Sequence, residues 1–226
     1  MANITKQAST RFSIVKRSKG QSAVEKASYI SRSILVSEYD GQTYRPKYHE
    51  DLVHSEISLP QNAPREYADR ATLWNAVELS EKGQKSQLAR MLKASLPNEW
   101  SYELAIEVMR DYVKRNFVDD GMCAQFAIHD SENPNTHQRN LHCHIMLTMR
   151  PLNERGAWAA KSKKVYDLDE NGERIRLPSG RYKTHKVDLT GWNDKDNTLL
   201  WRKAWADFTN DFLERNGSPE RIDHRS

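Results

Sequence analysis

Two neighbouring segments alternate strictly between apolar and polar residues, a pattern that restricts each to a half-buried β-strand. In residues 123–129 the apolar face is formed by even-numbered positions, and in residues 141–148 by odd-numbered positions. A polar loop that contains Asn133 and Pro134 joins the two segments. We therefore expect an antiparallel pair of strands with one apolar face and one polar face.

The polar face of this predicted pair carries three histidines. His142 and His144 are two positions apart and point the same way, and His129 joins them from the neighbouring strand. Three neutral imidazoles leave coordination positions open for catalysis, whereas structural zinc sites are usually closed by four ligands. A lone strand histidine more often packs or hydrogen-bonds, but three on one face favour a metal site. Cys143 should face the core, and His137 is a loop imidazole that could confuse the ligand assignment.

A capped helix follows the first predicted strand, 10–16. Ser22 and Glu25 have the spacing of a capping box, and at about 100° per residue Tyr29 points away from the apolar face of the helix. That face consists of Ala23, Ala27, Ile30 and Ile34. A tyrosine hydroxyl can form a covalent phosphodiester link once a nearby base or cation activates it. Tyr29 is therefore the candidate nucleophile, and a partly buried anchor is the alternative.

The group that activates this tyrosine is expected on the polar face of the next predicted strand, 53–59. Polar residues alternate with apolar ones there, and the polar set includes His54 and Glu56. Glu56 is the first candidate for activating Tyr29 or for orienting a histidine. His54 and Asp130 are the alternatives.

The rest of the chain predicts a helical scaffold and one projecting ribbon. Helical patterns are expected at 65–82, 84–95, 101–118 and 197–216, the last with an apolar stripe made of Leu200, Trp201, Trp205, Phe208 and Phe212. Asn171-Gly172, inside residues 164–177, is the favoured signal for a tight hairpin turn. We expect this basic ribbon to project from the domain.

Positive charge is concentrated in two stretches, 1–32 and 161–186. The net charge is only +4, but two separate basic stretches favour a polyanionic partner, because neutralising phosphates releases counterions. Ordinary solubilising charge is the alternative. The candidate DNA-binding residues are Arg11, Lys16, Arg17, Lys19, Lys26, Arg32, Lys163, Lys164, Arg174, Arg176, Arg181 and Lys183.

A length of 226 residues suits one α/β domain. No apolar run is long enough to span a bilayer and no export signal is evident, so a cytoplasmic protein without membrane insertion is expected. Cys123 and Cys143 are too few for a disulfide framework and are expected to be reduced. We expect residues 1–226 to form a single domain, the N-terminal part of a longer protein.

Several ordered motifs together resemble the MobA/MobL relaxases of plasmids and other mobile elements. They are the run 17–24 that leads to Tyr29, His54-Ser-Glu56 with 59–64, Ala127-Ile-His-Asp130, Asn140 to Arg150, the helix with Trp201 and Trp205, and Arg221-Ile-Asp-His-Arg225. The resemblance extends over nearly the whole chain, and the number of matching motifs makes it specific.

The resemblance implies a fold and a mechanism. These relaxases belong to the HUH endonucleases, in which a central five-stranded antiparallel sheet flanked by helices carries a histidine-bound divalent ion. A tyrosine attacks the nick site in an origin of transfer, leaving a free 3′ hydroxyl and a 5′-phosphotyrosine. Carried onto this chain, the resemblance implies Tyr29 as nucleophile and His129, His142 and His144 as ligands.

The implied cofactor is Mn²⁺ or Mg²⁺, with Zn²⁺ or Ni²⁺ also compatible with imidazole ligands. The implied partners are single-stranded DNA with an adjacent hairpin, together with other relaxosome and coupling proteins. Three alternatives stay open at this point: a rolling-circle replication initiator, a non-catalytic DNA-binding module with a structural zinc, and a hydrolytic metallonuclease.

Overall fold

The computed structural model describes residues 3–7, 10–133, 135 and 137–225. Pro134, in the predicted loop, lies outside the described residues, as do residues 1, 2, 8 and 9 of the first basic stretch. The described strands are β1 (Asn3–Gln7), β2 (Thr10–Lys16), β3 (Leu35–Val36), β4 (Thr43–Tyr44), β5 (Leu52–Ser58), β6 (Gln87–Ser95), β7 (Ala124–Glu132), β8 (Arg139–Thr148), β9 (Ser162–Tyr166), β10 (Thr184–Asp188) and β11 (Glu220–Asp223). The α-helices are α1 (Ala23–Ser31), α2 (Arg70–Ser80), α3 (Tyr102–Val113) and α4 (Asn197–Arg215).

Five of these strands form the central antiparallel sheet, in the order β2-β6-β8-β7-β5. The predicted fold class is confirmed: an antiparallel five-stranded sheet flanked by helices. Strands β7 and β8, which the alternating residues predicted, pair over nine positions from Ala124 and Leu147 to Glu132 and Arg139. Because β8 lies at the centre of the sheet, it is paired with a neighbouring strand on each side, which fixes the positions of its polar residues.

Helices cover both faces of the sheet and create two cores. Apolar residues of α3 and α4, such as Met109 and Trp205, pack with Phe126 of β7 on one face. Residues of α1 and α2, such as Ile30 and Trp74, pack on the other face. Since the side chains of a strand alternate between faces, His129 on β7 lies on the α1 face.

One predicted helix is wrong: residues 84–95 contain the strand β6. The segment lacks a clear alternation because helices cover both faces of the sheet, so Leu88, Ala89, Leu92 and Ala94 are all buried. A register shift between Val15 and Lys16 of the partner strand further blurs the two-residue period. The good helix formers in this segment are overridden by pairing with strands on both sides.

The helices at 65–82, 101–118 and 197–216 are confirmed as the 3₁₀ turn Arg65–Ala68 with α2, as α3 with a π turn at Lys114–Val118, and as α4. Two apolar positions were assigned wrongly. Ile34 lies beyond the end of α1 and is 57% exposed, and Leu200 of α4 is 59% exposed. None of the described helices is both long and apolar enough to cross a membrane.

The predicted basic ribbon is an arm of residues 162–188. Strand β9 pairs with β10 rather than with residues 175–177. The chain between them turns at Asp169–Gly172, as Asn171-Gly172 predicted, and again at Leu177–Gly180. Most side chains of this arm are exposed, so its cations are accessible to a polyanion.

Candidate functional site

Helix α1 presents Tyr29 at the protein surface. The Ser22 hydroxyl caps the helix by accepting a hydrogen bond from the Glu25 backbone N–H (3.1 Å), as the capping box predicts. Ala27 and Ile30 are fully buried in the core beneath the helix. Tyr29 points away from that core and is 50% exposed, so a reacting molecule can reach it.

The three predicted imidazoles converge on the α1 face of the sheet. His129 and His142 are register partners across β7 and β8. The ring centroids are 5.5 Å apart for His129 and His142, 5.4 Å for His129 and His144, and 5.1 Å for His142 and His144. Tyr29 meets His144 edge-on, with 6.3 Å between the centroids. Cys143 is buried in the core on the opposite face.

Hydrogen bonds to carbonyl groups determine the protonation of two of these rings. His129 Nε2 donates to the carbonyl oxygen of Ile30 (2.8 Å), and His142 Nδ1 donates to that of Asn140 (2.8 Å). Because a carbonyl oxygen can only accept, these nitrogens carry the protons. His129 Nδ1 and His142 Nε2 are thus lone-pair acceptors, the form in which imidazole binds metal ions.

Burial keeps the imidazole cluster uncharged at neutral pH. It lowers the pKa of His142 to about 4, and burial with the neighbouring His142 and His129 lowers the pKa of His144 to about 3. Burial also lowers the pKa of His129, although the Asp51 carboxylate acts in the opposite direction. Three neutral rings side by side form a ligand set that needs no deprotonation.

The positions of these rings fit a shared metal ion. As they stand, no group of three His, Cys, Asp or Glu side chains in the described part of the chain could hold an ion, so ring rotations are needed. Imidazoles bound to one ion at about 2.1 Å have centroids roughly 5 Å apart, close to the observed spacing. The buried His129 Nδ1 also has no hydrogen-bond partner among the described residues.

Asp51 strengthens the case for a cation at this point. Its Oδ2 atom lies 3.3 Å from His129 Nδ1, and neither atom carries a proton to donate. A lone pair that faces a carboxylate is unfavourable unless a cation lies between them. The residues present therefore fit a divalent ion.

Asp51 also connects the imidazole cluster to the end of α1. Its carboxylate accepts hydrogen bonds from Arg32 Nε (3.0 Å) and Nη2 (2.7 Å). Burial raises the pKa of Asp51, but the hydrogen bonds and the charge of Arg32 hold it below its ordinary value. The Arg32 guanidinium in turn lies 4.9 Å from the centroid of the Tyr29 ring. A fixed cation therefore lies beside the candidate nucleophile.

These groups line a cleft of about 760 Å³, whose walls include Tyr29, Arg32, Asp51, Lys93, His142 and His144. Lys93 is half-buried and is the register partner of His144. A second cleft, of about 870 Å³, lies elsewhere and is lined by Lys114, Asp119 and Glu154 without a histidine. The first cleft is the candidate site because its side chains can hold a metal, a phosphate and a nucleophile together.

The structure corrects the expectation for Glu56. Glu56 is the register partner of Phe126 and lies on the α3 face, opposite the imidazoles. There it accepts hydrogen bonds from Arg110 Nε (3.0 Å) and Nη2 (2.6 Å) and lies 2.7 Å from His54 Nε2. His54 therefore belongs to the same distant cluster. Neither residue can activate Tyr29 through the sheet.

The other alternative, Asp130, lines the same cleft as Tyr29, but its carboxylate is bound by other side chains. It accepts hydrogen bonds from the Tyr102 hydroxyl (2.7 Å) and from Arg139 Nε (2.9 Å). The loop imidazole His137 faces Glu132 and is largely exposed. His137 is thus not one of the three converging rings.

One predicted DNA contact, Arg17, is wrong. Arg17 is buried, donating to the Glu78 carboxylate (3.0 Å) and to the carbonyl oxygen of Glu81, so it cannot reach a phosphate. Arg32 lies inside the cleft. The remaining candidates are exposed at Arg11, Lys19, Lys163, Lys164, Arg174, Arg176, Arg181 and Lys183 and half-buried at Lys16 and Lys26.

Sequence reasoning missed Asp51 and Lys93. Asp51 lies immediately before β5 and belongs to no sequence pattern that would predict a functional role. Lys93 was hidden because 84–95 was assigned to a helix. A strand assignment would have placed Lys93 two positions from Met91 on one face, although the pairing with His144 has no sequence signal.

Comparisons with known proteins identify the family of the chain. The MobA/MobL family matches residues 21–226. The chain is 34% identical over 227 residues to "Probable mobilization protein MobA" of Bifidobacterium longum (strain NCC 2705), covering 94% of this chain and 39% of that protein. It is 35% identical over 225 residues to "Conjugal transfer protein TraA" of Agrobacterium fabrum (strain C58 / ATCC 33970), covering 95% of this chain and 19% of that protein.

A solved structure reported as "Molecular Basis of Vancomycin Resistance Transfer in Staphylococcus aureus" is also similar. It matches with a TM-score of 0.78 and 26% identity, covering 97% of this chain and 99% of that chain. The chain spans well under half the length of the two curated relatives above, and nearly all of this solved chain.

Proposed function

This chain belongs to the MobA/MobL family, and on that premise we propose that it nicks one DNA strand at a plasmid origin of transfer and so initiates conjugative transfer or mobilisation. The observation that carries the proposal is an exposed phenol, Tyr29, whose ring meets His144 at the edge of a three-imidazole cluster. We propose that residues 1–226 act as one nicking domain.

Tyr29 is the nucleophile in this proposal. Its phenolic oxygen loses a proton and attacks the scissile phosphorus, and the bond from phosphorus to the 3′ oxygen breaks. The 3′ oxygen takes up a proton and leaves as a hydroxyl, and the downstream strand stays attached as a 5′-phosphotyrosine. Because no water is consumed, the reverse attack by a 3′ hydroxyl can rejoin the strand.

Arg32 and Asp51 prepare the nucleophile. The Arg32 guanidinium lies over the Tyr29 ring and would stabilise negative charge that develops on the phenolic oxygen. Asp51 holds that guanidinium through two hydrogen bonds. Asp51 is thus a positioning residue, in the role that sequence analysis assigned to Glu56.

His129, His142 and His144 would hold the divalent ion, Mn²⁺ or Mg²⁺ in the proposed reaction, with Zn²⁺ or Ni²⁺ as other ions that imidazoles accept. When bound, the ion would supply charge withdrawal from the phosphate oxygens and would orient the scissile bond. The hydrogen bonds of His129 and His142 to backbone carbonyl groups determine which nitrogen of each ring would be free to bind the ion.

Exposed cations extend the proposed DNA interface away from the cleft. On the arm 162–188, the Arg174 guanidinium lies 4.0 Å from the centroid of Tyr166, and that of Arg176 lies 5.0 Å from the centroid of Tyr182. Interleaved arginines and aromatic rings suit both phosphates and unstacked bases. We propose that the arm contacts a DNA hairpin beside the nick site, and that relaxosome and coupling proteins act with the chain in the cytoplasm.

End-labelled DNA tests the proposed reaction. The purified chain is incubated with Mn²⁺ and tiled single-stranded fragments of the replicon that encodes it, each labelled at the 5′ or the 3′ end. We expect the 3′ label to run with the protein on a denaturing gel and the 5′ label to run as a shorter free strand. Tyr29→Phe should bind the fragment without cutting it.

The same gel separates the proposal from its alternatives. A hydrolytic metallonuclease would release both labels from the protein, and a DNA-binding module with a structural zinc would leave the fragments intact. Either result would overturn the proposal. A rolling-circle initiator shares the chemistry and would instead cut fragments from a replication origin.

A further inference from the structure

A row of side chains crosses the sheet from its edge to the imidazole cluster. Arg11 on β2 is the register partner of Lys93 on β6, and Lys93 is the register partner of His144 on β8. Register partners project from the same face of a sheet. With adjacent strands about 4.8 Å apart, the row leads from the exposed edge to His144 over about 10 Å.

The two cations of this row are not neutralised by an acidic side chain of the described residues. Among the described residues, the side chains of Arg11 and Lys93 have no hydrogen-bond acceptor and no ion-pair partner. By contrast, buried Arg17 pairs with Glu78 (3.0 Å) and half-buried Lys161 pairs with Glu81 (2.7 Å). Lys93 is thus half-buried like Lys161 but, unlike Lys161, has no acidic partner among the described residues.

Such an arrangement is unfavourable in the free protein. Like charges directly opposite each other on neighbouring strands destabilise a sheet, and Lys93 is half-buried, where an unpaired ammonium loses solvation. A bound polyanion would relieve both effects. The cleft that Lys93 shares with Tyr29 and His144 is open to such a ligand.

We infer that Arg11 and Lys93 form a phosphate track, in which two phosphates of single-stranded DNA bind between the edge of the sheet and the nick site. The inference rests on the proposed function for the identity of the polyanion as DNA. Lys93 binds the phosphate beside the imidazoles, and Arg11 binds one further toward β2. The track aligns the strand so that the scissile phosphate meets Tyr29.

The salt dependence of DNA binding tests this track without any cleavage. Affinity for fluorescein-labelled oligo(dT) of about 30 nucleotides is measured in the Tyr29→Phe protein at salt concentrations from about 50 to about 200 mM. Each phosphate neutralised in a single strand contributes about −0.7 to the slope of log affinity against log salt. Arg11→Gln and Lys93→Met should each flatten the slope by about 0.7, and the double variant by about 1.4.

Lys203→Met is the matched control. Lys203 lies on α4, at the opposite face of the sheet, and pairs with Asp207 (2.6 Å), so its loss changes the net charge equally without touching the track. The salt slope of DNA binding for Lys203→Met should equal that of the Tyr29→Phe protein without further substitution. Lys93→Met should also keep or raise the melting temperature, because it removes a like-charge contact. Lys93→Gln gives a second test of the same position.

Two results would overturn the inference. The first is that the salt slopes of the Arg11 and Lys93 variants equal that of the Lys203 control. The second is that these variants lose affinity equally for inorganic phosphate and for oligo(dT), each measured as a competitor of the labelled strand. The second result would indicate a site for a small anion rather than a strand. Because the measurement uses a protein that cannot nick, a failure of the nicking proposal would show separately, in the end-label assay of the wild-type chain.

Discussion

The rings of Tyr29 and His144 meet edge-on, although one belongs to α1 and the other to β8. The contact depends on the capped helix, whose buried face turns the phenol outward, and on the alternation of β8, which turns His144 toward the helix. It places a potential nucleophile beside a potential metal ligand.

Replacing Tyr29 with Phe should abolish the covalent DNA adduct and leave the fold intact. Phe keeps the ring that contacts His144 and loses only the hydroxyl. Loss of a nucleophile commonly lowers the rate by more than about a thousandfold. Single-turnover cleavage, binding of uncut DNA and thermal unfolding are the measurements. Retained cleavage would assign the nucleophile to another residue.

Replacing Asp51 with Asn should slow cleavage by about 10- to 100-fold, the range typical of residues that orient ligands. The amide keeps the shape of the carboxylate but loses the charge that fixes Arg32 and faces His129. The Mn²⁺ dependence of cleavage should shift to higher concentration, while DNA affinity changes little. An unchanged metal dependence would contradict the role assigned to Asp51.

Glu56→Gln is the matched carboxylate control. Glu56 lies on the other face of the sheet and pairs with Arg110 (2.6 Å), so cleavage at saturating DNA should stay within about twofold of wild type, as for most surface changes. A rate as low as that of Asp51→Asn would mean that the α3 face takes part in the reaction.

Arg17→Met should destabilise the domain instead of weakening DNA binding. The substitution leaves the Glu78 carboxylate buried without its partner, which costs about 3 kcal/mol or more. For a chain of this size, that corresponds to a fall in melting temperature of roughly 6–12 °C. The salt slope of DNA binding below the transition should match that of wild type. A flatter slope with an unchanged melting temperature would restore Arg17 to the DNA interface.

Acid should destabilise the metal-free protein through the imidazoles. The folded pKa of His142 is about 4 and that of His144 about 3, below the ordinary value of about 6.5. The unfolded chain therefore takes up protons first, and the free energy of unfolding falls as the pH falls from about 6.5 toward about 4.

His144→Gln should flatten that dependence, because glutamine does not titrate. Thermal unfolding in a chelator at pH 7 and at pH 5 gives the comparison, and wild type should lose more stability between the two values. Adding Mn²⁺ at pH 7 should raise the melting temperature of wild type more than that of the variant. Equal responses to pH and to Mn²⁺ would contradict a buried neutral ligand at this position.

The alternating strands show what local sequence can predict. A period of two residues predicts that the side chains of His129, His142 and His144 point to one face of the sheet. The helical period and the N-cap of α1 predict that the side chain of Tyr29 points outward. Both depend only on neighbouring residues. The ring separations confirm that the three imidazoles come together, while their role as ligands stays a prediction.

The predictions from sequence failed at positions whose surroundings are determined by tertiary packing. His54 and Glu56 do share one face of β5, but the sequence does not state that this face packs toward α3, whereas the polar face of β7 packs toward α1. Likewise, β6 is covered on both faces, so its buried residues have no two-residue period. Asp51 acts through Arg32, 19 residues away in the chain, a pairing without a local signal.

Identifying the amino acid that carries the DNA tests the proposed nucleophile and the polarity of its link directly. The covalent adduct is digested with trypsin and a nuclease, and the peptides are sequenced by mass spectrometry. Trypsin cuts after Lys26 and after Arg32, so the proposed mechanism predicts a 5′-linked nucleotide on the peptide Ala27–Arg32, at Tyr29. A nucleotide on the peptide of any other tyrosine, or linked through its 3′ end, would contradict it.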